Sequence, residues 1–535
     1  MAANRLEPVL SALLAALAAT VVVLAGPTGG DVPAHLYRTL LVHQNIYLWD
    51  NLWFAGQYPL VSYSLLYYPV AAAIGNLTLV VASVVGAAVL FQRICTREWG
   101  AAAIWPSRAF AILAAGPIFT GTYSYAAGFA MLLATIAALQ SGRISLAIGC
   151  GALTLGFSPL AFIFLVIALA AIAVSRRQVN RRAVLFCAGL AVAAGVQLAA
   201  LRLFPMGGRY PFRGIELATV LVVAGLGVIV ALRAPRGGIL AALFGFWLLA
   251  SVALFIIPEP VGENVTRLRS VVFPLMLLTV LVARFRPRGI ALVALALALV
   301  YNLMPYANAV ANRTKDSRAA SAAFWAPALQ FLHDHRGGAF RVEVVPTSDH
   351  WEAWYIPRAG FPLARGWYRQ LDIAENGALY RDPLSPAGYR HWLRRMAVRY
   401  VLLPSVTLGK KGADREARLL LRGAPGLRLA YRTPDWRIYE VRDPLPIMRG
   451  PGRVHVGAFT HDRIAARVTE PGTYRLAVRY MPYWDVKSGA VCVARAKDGM
   501  TELRVRRPGP LLLAAADGPS ALFASALGDT DGDCR

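Results

Sequence analysis

The chain has 535 residues, of which 57% are hydrophobic and only 16% are charged, whereas a soluble domain is about half apolar and a quarter charged. Its net charge is +26, and in the apolar part the basic residues are arginines in short clusters, a pattern that marks the cytoplasmic loops of membrane proteins. This composition excludes a purely soluble protein. The chain also lacks the basic and aromatic pattern of a nucleic-acid-binding module, so no nucleic-acid partner is predicted.

About eleven apolar runs are predicted to cross the membrane as α-helices, because roughly 20 apolar residues span a hydrocarbon core about 30 Å thick. The first run resembles a signal peptide, but many runs follow it, so we interpret it as an uncleaved helix. With the N-terminus inside, the clustered arginines face the cytoplasm, and the odd span count places everything after residue 304 outside. The predicted spans are 9–26, 66–91, 101–118, 124–140, 144–157, 159–175, 183–202, 216–232, 238–257, 269–283 and 288–304.

The loop after the first run, "GDVPAHLYRTLLVHQNIYLWDNLWFAGQYP", is longer and richer in charged and aromatic residues than a plain connector. Asp31 opens it at the membrane surface, where a carboxylate can act as a general base or as the N-cap of the next helix. That helix is predicted to lie in the interface, with His35, Arg38 and His43 on a polar face over Asp31.

Later in the same loop, Asp50 is a second candidate base, with a solvated loop carboxylate as the alternative. Trp53 belongs to a group of aromatic residues that either stack on sugar rings or form an interfacial belt. Among the outward basic residues, Arg267 and Arg269, and with less support Arg209, are candidates for holding a lipid phosphate. Snorkelling of the arginine side chains to the interface is the competing explanation.

From about residue 305 the apolar runs shorten and turn residues become frequent. Residues 305–450 combine a helical pattern with the strand-like runs "RVEVV", "RYVLLP" and "WRIYEV", which predicts a mixed α/β domain outside the cytoplasm. Residues 451–535 alternate apolar and polar residues, as in "GTYRLAVRYMPYW", which predicts a β-sandwich.

Two features of this tail carry candidate chemistry. After a predicted strand, "VVPTSDHWEAWYIP" places His350, Trp351 and Glu352 in a loop, where they either bind an acceptor or pack in a tryptophan-rich turn. No metal-spaced partner accompanies His350, so no metal site is predicted. Cys492 and Cys534 can form a disulfide in an oxidising compartment, with Cα atoms about 4.4 to 6.8 Å apart; two unpaired thiols are the alternative.

An outer loop that opens with an acid ("GGDVPAH"), many spans and an outer C-terminal region resemble the GT-C superfamily of membrane glycosyltransferases. The chain looks closest to bacterial proteins described as membrane glycosyltransferases or as pyruvoyl-tetrahydropterin-synthase-related membrane proteins. The resemblance implies a GT-C-like catalytic domain over residues 1–304 and a carbohydrate-binding role for the sandwich. Asp31 matches the position of the family's catalytic acid, although the paired acids of many members are absent.

The resemblance implies an inverting hexosyl- or pentosyltransferase at the outer face of the plasma membrane. It would move a sugar from a polyprenyl-phosphate donor to a cell-wall glycan or glycolipid, with Mg²⁺ or Mn²⁺ assisting in some members. Arg267 or Arg269, with Arg38 and Arg209, would hold the phosphate. The guanidinium of Arg267 or Arg269 should then lie about 6 to 12 Å from the carboxylate of Asp31. A transporter or flippase of lipid-linked glycans and a non-enzymatic envelope assembly protein are the alternatives. Acids in outer loops rather than at span centres favour the enzyme.

Overall fold

In the computed structural model of the protein, the described residues are 3–26, 29–60, 63–176, 181–205, 207–234, 236–257, 259–315, 318–409, 412–516 and 534. The chain divides into two units. The first unit comprises Met1–Val32, Tyr63–Arg202 and Gly208–Thr314, and the second comprises Pro33–Ser62, Leu203–Gly207 and Lys315–Arg535. Most of the loop after α1 therefore belongs to the same unit as the C-terminal region.

The first unit, here called the membrane unit, is helical because its apolar runs satisfy their backbone hydrogen bonds internally. Short 3₁₀ segments, Gly100–Ala103 and Gly262–Val271, interrupt it. The α-helices from the N-terminus to residue 315 are α1 (Ala3–Ala25), α2 (Val32–His43, almost wholly in the second unit), α3 (Tyr67–Ile74), α4 (Asn76–Trp99), α5 (Ile104–Leu113), α6 (Gly116–Thr120), α7 (Tyr123–Gln140), α8 (Ile144–Phe157), α9 (Pro159–Arg176), α10 (Arg181–Leu203), α11 (Gly214–Ala231), α12 (Gly238–Ile256), α13 (Val272–Ala283) and α14 (Arg288–Lys315).

Among the described residues, nine helical segments are long and apolar enough to cross a membrane, so the chain is a helical membrane protein. The predicted runs 66–91 and 101–118 fall in one 45-residue segment, Asn76–Thr120. A straight helix of that length would be about twice as long as the hydrocarbon core is thick. However, the rings of Phe91 and Phe110 stack 4.3 Å apart, so α5 folds back along α4. The predicted run 144–157 is α8, which is shorter than the nine segments.

Helix α7 is the most enclosed of the candidate spans. It packs against α4, α8 and α9, and Gly128 lies against Ser158, between α8 and α9. A Cβ atom at Gly128 would lie 2.6 Å from the Cβ of Ser158. Small residues at such contacts let helix backbones approach each other closely within the bilayer.

In the second unit, residues 318–441 form a mixed sheet with helices around it. The predicted strands "RVEVV", "RYVLLP" and "WRIYEV" correspond to β1 (Arg341–Val344), β2 (Val398–Pro404) and β4 (Trp436–Val441). Its sheet order is β1-β2-β4-β3, with β1 and β2 parallel and the other pairs antiparallel. Its elements are α15 (Ala322–Asp334), β1 (Arg341–Val344), α16 (Glu352–Arg358), α17 (Arg369–Glu375), α18 (Pro386–Arg395), β2 (Val398–Pro404), α19 (Gly412–Leu421), β3 (Leu427–Arg432) and β4 (Trp436–Val441).

Residues 448–515 of the second unit form two four-stranded antiparallel sheets, β10-β11-β8-β5 and β6-β7-β12-β9. Tyr474, Leu476 and Val478 on one sheet share a hydrophobic core with Leu511 and Leu513 on the other. The strands are β5 (Met448–Arg449), β6 (Val454–Phe459), β7 (Arg463–Val468), β8 (Gly472–Arg479), β9 (Trp484–Ser488), β10 (Val491–Arg495), β11 (Met500–Val505) and β12 (Gly509–Ala515). The alternation in "GTYRLAVRYMPYW" thus belongs to a strand of a two-sheet structure.

Aromatic residues of the loop after α1 complete this core. Trp49 and Tyr58 are buried in the same hydrophobic cluster as the two sheets. The Trp49 ring lies edge-on to Tyr58 at 5.0 Å and to Trp484 at 6.3 Å. The aromatic richness of the loop therefore has a packing function within the second unit.

Candidate active site

Asp31 is held by a close backbone contact between two turns of the membrane unit. A Cβ atom at Gly29 would lie 2.1 Å from the backbone nitrogen of Gly121, so only glycine fits there. Gly121 has φ +73° and ends α6, and a Cβ atom on it would lie 2.9 Å from the backbone nitrogen of Asp31. These two glycines place the carboxylate of Asp31 beside the start of α7.

The side chain of Asp31 meets Arg267, which lies in the 3₁₀ segment before α13. Their carboxylate Oδ2 and guanidinium Nη2 atoms are 3.7 Å apart. The Asp31 side chain is 20% exposed and the Arg267 side chain 25% exposed, so both groups remain accessible. An arginine at this carboxylate was predicted, but the predicted separation of 6 to 12 Å was wrong. Opposite charges in a weakly screened environment attract strongly and come into contact.

Hydroxyl groups surround this ion pair. The Tyr125 hydroxyl donates to the backbone oxygen of Arg267 at 3.5 Å, and Ser124 donates to the Tyr63 hydroxyl at 3.4 Å. Tyr123 lies near enough to Asp31 to interact with its charge. These tyrosines were missed as site residues, although "YSY" directly after a glycine turn is a signal that could have indicated them.

Arg269, the other predicted phosphate ligand of this segment, has a different environment. Its Nη1 lies 3.3 Å from the Glu216 carboxylate, which also accepts from Arg213 at 2.8 Å. Arg213 in turn binds Glu263 through Nε and Nη2. Arg269 is thus paired within this network rather than with Asp31. Arg209 is exposed in the loop before α11.

The residues expected to form a polar face over Asp31 belong to the second unit. The predicted helix exists as α2, but His35 and Arg38 are only 3% and 1% exposed, so they are core residues of that unit. The guanidinium of Arg38 lies 4.3 Å from the ring centre of Tyr368. His43 is exposed at the end of the helix. His35 and Arg38 thus supply buried contacts on α2, and the predicted polar face over Asp31 and the binding roles of these residues stay predictions.

Asp50 is fully buried in the second unit and is surrounded by donors. It accepts hydrogen bonds from the Tyr37 hydroxyl at 3.0 Å and from the backbone nitrogen of Leu52 at 3.0 Å. Its Oδ1 also lies 2.9 Å from Nδ1 of His461. Burial, and then the charge of Asp50, raise the pKa of Tyr37 well above its ordinary value. These contacts are those of a carboxylate that organises the loop. No local sequence pattern indicates His461 as its partner.

Trp53 is also part of this organising cluster. Its ring stacks on Tyr37 with centroids 4.5 Å apart, and its Nε1 donates to the backbone oxygen of Ala353 at 3.0 Å. Because the ring is fully buried, its contacts are with the protein core rather than with an exposed sugar-stacking surface.

His350, Trp351 and Glu352 form one tight turn after β1. His350 has φ +58°, and its Nδ1 lies 3.0 Å from the Glu352 carboxylate. That carboxylate also accepts from the backbone nitrogen and hydroxyl of Thr347 at 3.1 and 2.8 Å. Trp351 is 5% exposed and packs near Tyr355. These contacts fit a structural turn, and the predicted acceptor-binding role stays a prediction.

This turn makes stability depend on pH. Burial alone lowers the pKa of His350, but the hydrogen bond and charge of Glu352 outweigh it and raise the pKa above 6.5. The stabilisation is therefore complete below about pH 6.5 and is lost as pH rises through the higher pKa of the folded state. Asn tolerates positive φ and does not titrate. We expect the melting temperature of the full chain to fall more steeply above pH 6.5 than that of His350→Asn; parallel curves would contradict this.

Cys492 and Cys534 form a disulfide with Cα atoms 5.0 Å apart, which is the pairing expected from the sequence. Residues 517–533, between the second sheet and Cys534, lie outside the described part. Across the described residues, no group of three or more His, Cys, Asp or Glu side chains has an arrangement that could hold a metal ion.

Comparison with known proteins adds no identification. No model of a known protein family matches the chain, and no curated protein matches it. The candidate site therefore has to be interpreted from its own geometry.

Proposed function

We propose that the protein is a GT-C-type glycosyltransferase that takes a sugar from a polyprenyl-phosphate donor and transfers it to an envelope glycan. The observation that carries the proposal is the pairing of Asp31 and Arg267, two partly exposed side chains 3.7 Å apart in the membrane unit. One is a carboxylate that can accept a proton, and the other is a guanidinium that can bind a phosphate through two parallel hydrogen bonds.

The reaction uses these two groups in one displacement. The acceptor hydroxyl oxygen attacks the anomeric carbon, and its proton passes to the Asp31 carboxylate. The bond between that carbon and the phosphate oxygen breaks, and the phosphate leaves with the bonding electrons to be held by Arg267. Attack and departure on opposite sides invert the anomeric centre. Because a sugar ring must fit between base and phosphate, Arg267 has to exchange its contact with Asp31 for one with the donor.

An apolar cavity of about 190 Å³ in the membrane unit supports a lipid-linked donor. Phe129, Leu133 and Phe164 line it, and Leu268, the neighbour of Arg267, is part of its wall. A polyprenyl chain could pack against this apolar part of the wall, with its phosphate near the guanidinium of Arg267. Glu98, Gln140 and Arg176 also line the cavity.

The positions of the acids favour surface chemistry over transport. In the described parts of the membrane unit, Glu7, Glu98, Glu216 and Glu263 lie near helix ends, and Asp31 and Glu259 lie outside the α-helices. A transporter or flippase typically places ionisable groups or broken helices near the bilayer midplane. The same distribution is suited to a site at the membrane surface.

The proposal includes a topology with the N-terminus in the cytoplasm of the plasma membrane and the C-terminal region outside. We expect a reporter fused after Arg535 to be active outside the cytoplasm. A reporter fused between α9 and α10, where residues 177–180 lie outside the described part, should be active inside. The physical reason is the arginine bias of the short loops. A cytoplasmic C-terminus would overturn the placement of the site on the outer face.

The function is tested by two assays on one deletion strain. Mass spectrometry should show an envelope glycan lacking one type of sugar and an accumulated polyprenyl-phosphate sugar. The purified protein should then transfer that sugar from the accumulated donor to the truncated glycan. An unchanged glycan, with the donor displaced to the cytoplasmic leaflet, would favour a flippase. A changed wall without any transfer by the purified protein would favour an assembly protein.

A further inference from the structure

Four arginines of the second unit converge where its mixed sheet, its helix α18 and strand β8 meet. They are called the arginine cluster here and comprise Arg341, Arg395, Arg475 and Arg479. Arg341 interacts electrostatically with both Arg475 and Arg479, and Arg395 interacts with Arg479. Like charges gathered inside a protein are unfavourable unless something of opposite charge compensates them.

Arg341 is the member with the least compensation. It begins β1 and is 0% exposed, and its Nη1 donates to the backbone oxygen of Met396 at 2.6 Å. Its Nε and Nη2 atoms are buried without a hydrogen-bond partner. Glu343, two residues further along the strand, binds Arg365 instead. A buried donor that lacks a partner costs about 1 to 3 kcal/mol, and more when the group is charged.

The neighbouring arginines also carry buried donors without an acceptor. Arg479 donates through Nε to the backbone oxygen of Phe54 at 2.6 Å and pairs with Glu375. Its Nη2 is nevertheless buried and without a hydrogen-bond partner, as is the Nε of Arg395. Together with the two atoms of Arg341, four buried nitrogen atoms of three guanidinium groups, each an N–H donor, have no acceptor.

The charges of the cluster do not cancel. Two carboxylates bind the cluster directly: Glu375 pairs with Arg479, and Asp498 pairs with Arg475. A third, Asp372, interacts with Arg479 at longer range and lies close to Arg365. Burial, followed by the charges of Arg479 and Arg475, lowers the pKa of Arg341 to about 9. Four guanidinium groups against two directly bound carboxylates leave an excess of two positive charges, which a divalent oxyanion would neutralise.

We propose that the arginine cluster binds a small tetrahedral oxyanion, either free phosphate or the phosphate group of an ester. The four unused N–H groups are the donors that such an anion requires, and planar guanidinium groups match phosphate oxygens through paired hydrogen bonds. Because Arg341 is completely enclosed, the bound group is small. The site lies in the second unit and does not depend on the proposed transfer reaction.

The test uses the detergent-purified full chain, dialysed against buffer free of phosphate and sulfate. Two readouts are taken: phosphate released when the dialysed protein is denatured in acid, and the melting temperature during titration with sodium phosphate. Glycerol 3-phosphate is titrated in parallel as a soluble phosphate ester, and sodium chloride at matched ionic strength is the control. Arg341→Met removes the enclosed charge at similar volume, and Arg428→Met, on the exposed edge of the sheet, is the matched control.

We expect either retained phosphate or a saturable rise in melting temperature of roughly 5 °C or more, at about a hundredfold excess over the dissociation constant. Arg428→Met should behave like the wild type, and Arg341→Met should show neither response. A response to glycerol 3-phosphate alone would identify an ester as the ligand. No released phosphate together with no saturable shift, or the same shift in chloride and in Arg341→Met, would overturn the proposal and leave water as the partner of these donors.

Discussion

Replacing Asp31 with Asn is expected to reduce glycosyl transfer by roughly a hundredfold or more, because the variant cannot accept the proton of the acceptor hydroxyl. Asn preserves the size of the side chain and its ability to cap a helix, so the turn formed by Gly29 and Gly121 should remain. The measurement is the rate of sugar transfer by the purified protein at saturating donor. Monodisperse elution and an unchanged melting temperature would show that the variant is folded.

A second ion pair of the membrane unit provides a matched control. Glu7 binds Arg108 through a 2.6 Å contact, so Glu7→Gln also removes one carboxylate from an arginine. It should leave the transfer rate close to that of the wild type, since Glu7 has no role in the proposed reaction. Equal losses in both variants would mean that Asp31 acts through stability rather than as a base.

Full activity of Asp31→Asn would remove the main support for the proposed mechanism. Asp50 was the next candidate base in the sequence, but its carboxylate is fully buried and accepts from Tyr37 and Leu52. A group that is enclosed in this way cannot reach an acceptor hydroxyl without opening its surroundings. An active Asn variant would therefore argue against acid–base chemistry in the loop after α1 altogether.

The helical part of the fold could be predicted because a membrane span depends mainly on length and apolar content, both of which are local. The strands β1, β2 and β4 could be predicted for a similar reason, since buried strands are short apolar runs. The loop after α1 could not be interpreted in this way. Besides their nearby partners, Asp50 contacts His461 and Trp53 contacts Ala353. Both lie more than 290 residues away in the chain, and no local pattern indicates such a contact.

The candidate site could be predicted only in part, because the sequence indicates where a residue lies relative to a span but not which distant residue it contacts. The position of Asp31 after the first span and of Arg267 before another indicated that both lie at a membrane surface. Their contact depends on the close approach of Gly29 to Gly121, which the sequence does not indicate. Arg269 could not be separated from Arg267 by pattern, because its partner Glu216 is contributed by another helix.

Replacing Arg365 with Met is expected to destabilise the second unit by about 3 to 5 kcal/mol, because it leaves buried carboxylates without their counterion. Arg365 is enclosed and donates to Glu343 at 2.8 Å and to Glu416 at 2.6 Å, with Asp372 at 3.7 Å. Glu416 also accepts from the Tyr389 hydroxyl at 2.7 Å. One guanidinium thus holds three acids inside the unit.

The loss of stability in Arg365→Met should be larger at high pH than at low pH. Burial raises the pKa of Glu343 well above its ordinary value, although Arg365 opposes the rise. A carboxyl group whose pKa is raised in the folded state stabilises the fold at low pH, and this contribution is lost as pH rises through that pKa. Without Arg365 the pKa of Glu343 rises further, so the variant should lose more stability at pH 8 than at pH 5. The measurement is the urea concentration at which half of the full chain is unfolded, monitored by tryptophan fluorescence at both pH values.

The control and the rescue distinguish charge from packing. Arg428→Met removes an exposed arginine that pairs with Glu440, and it should change the stability by less than about 1 kcal/mol. Adding Glu343→Gln and Glu416→Gln to Arg365→Met should restore most of the midpoint at pH 8, because the buried group then carries fewer uncompensated charges. If the triple variant is as unstable as Arg365→Met alone, the volume and hydrogen bonds of Arg365, rather than its charge, hold this part of the second unit together.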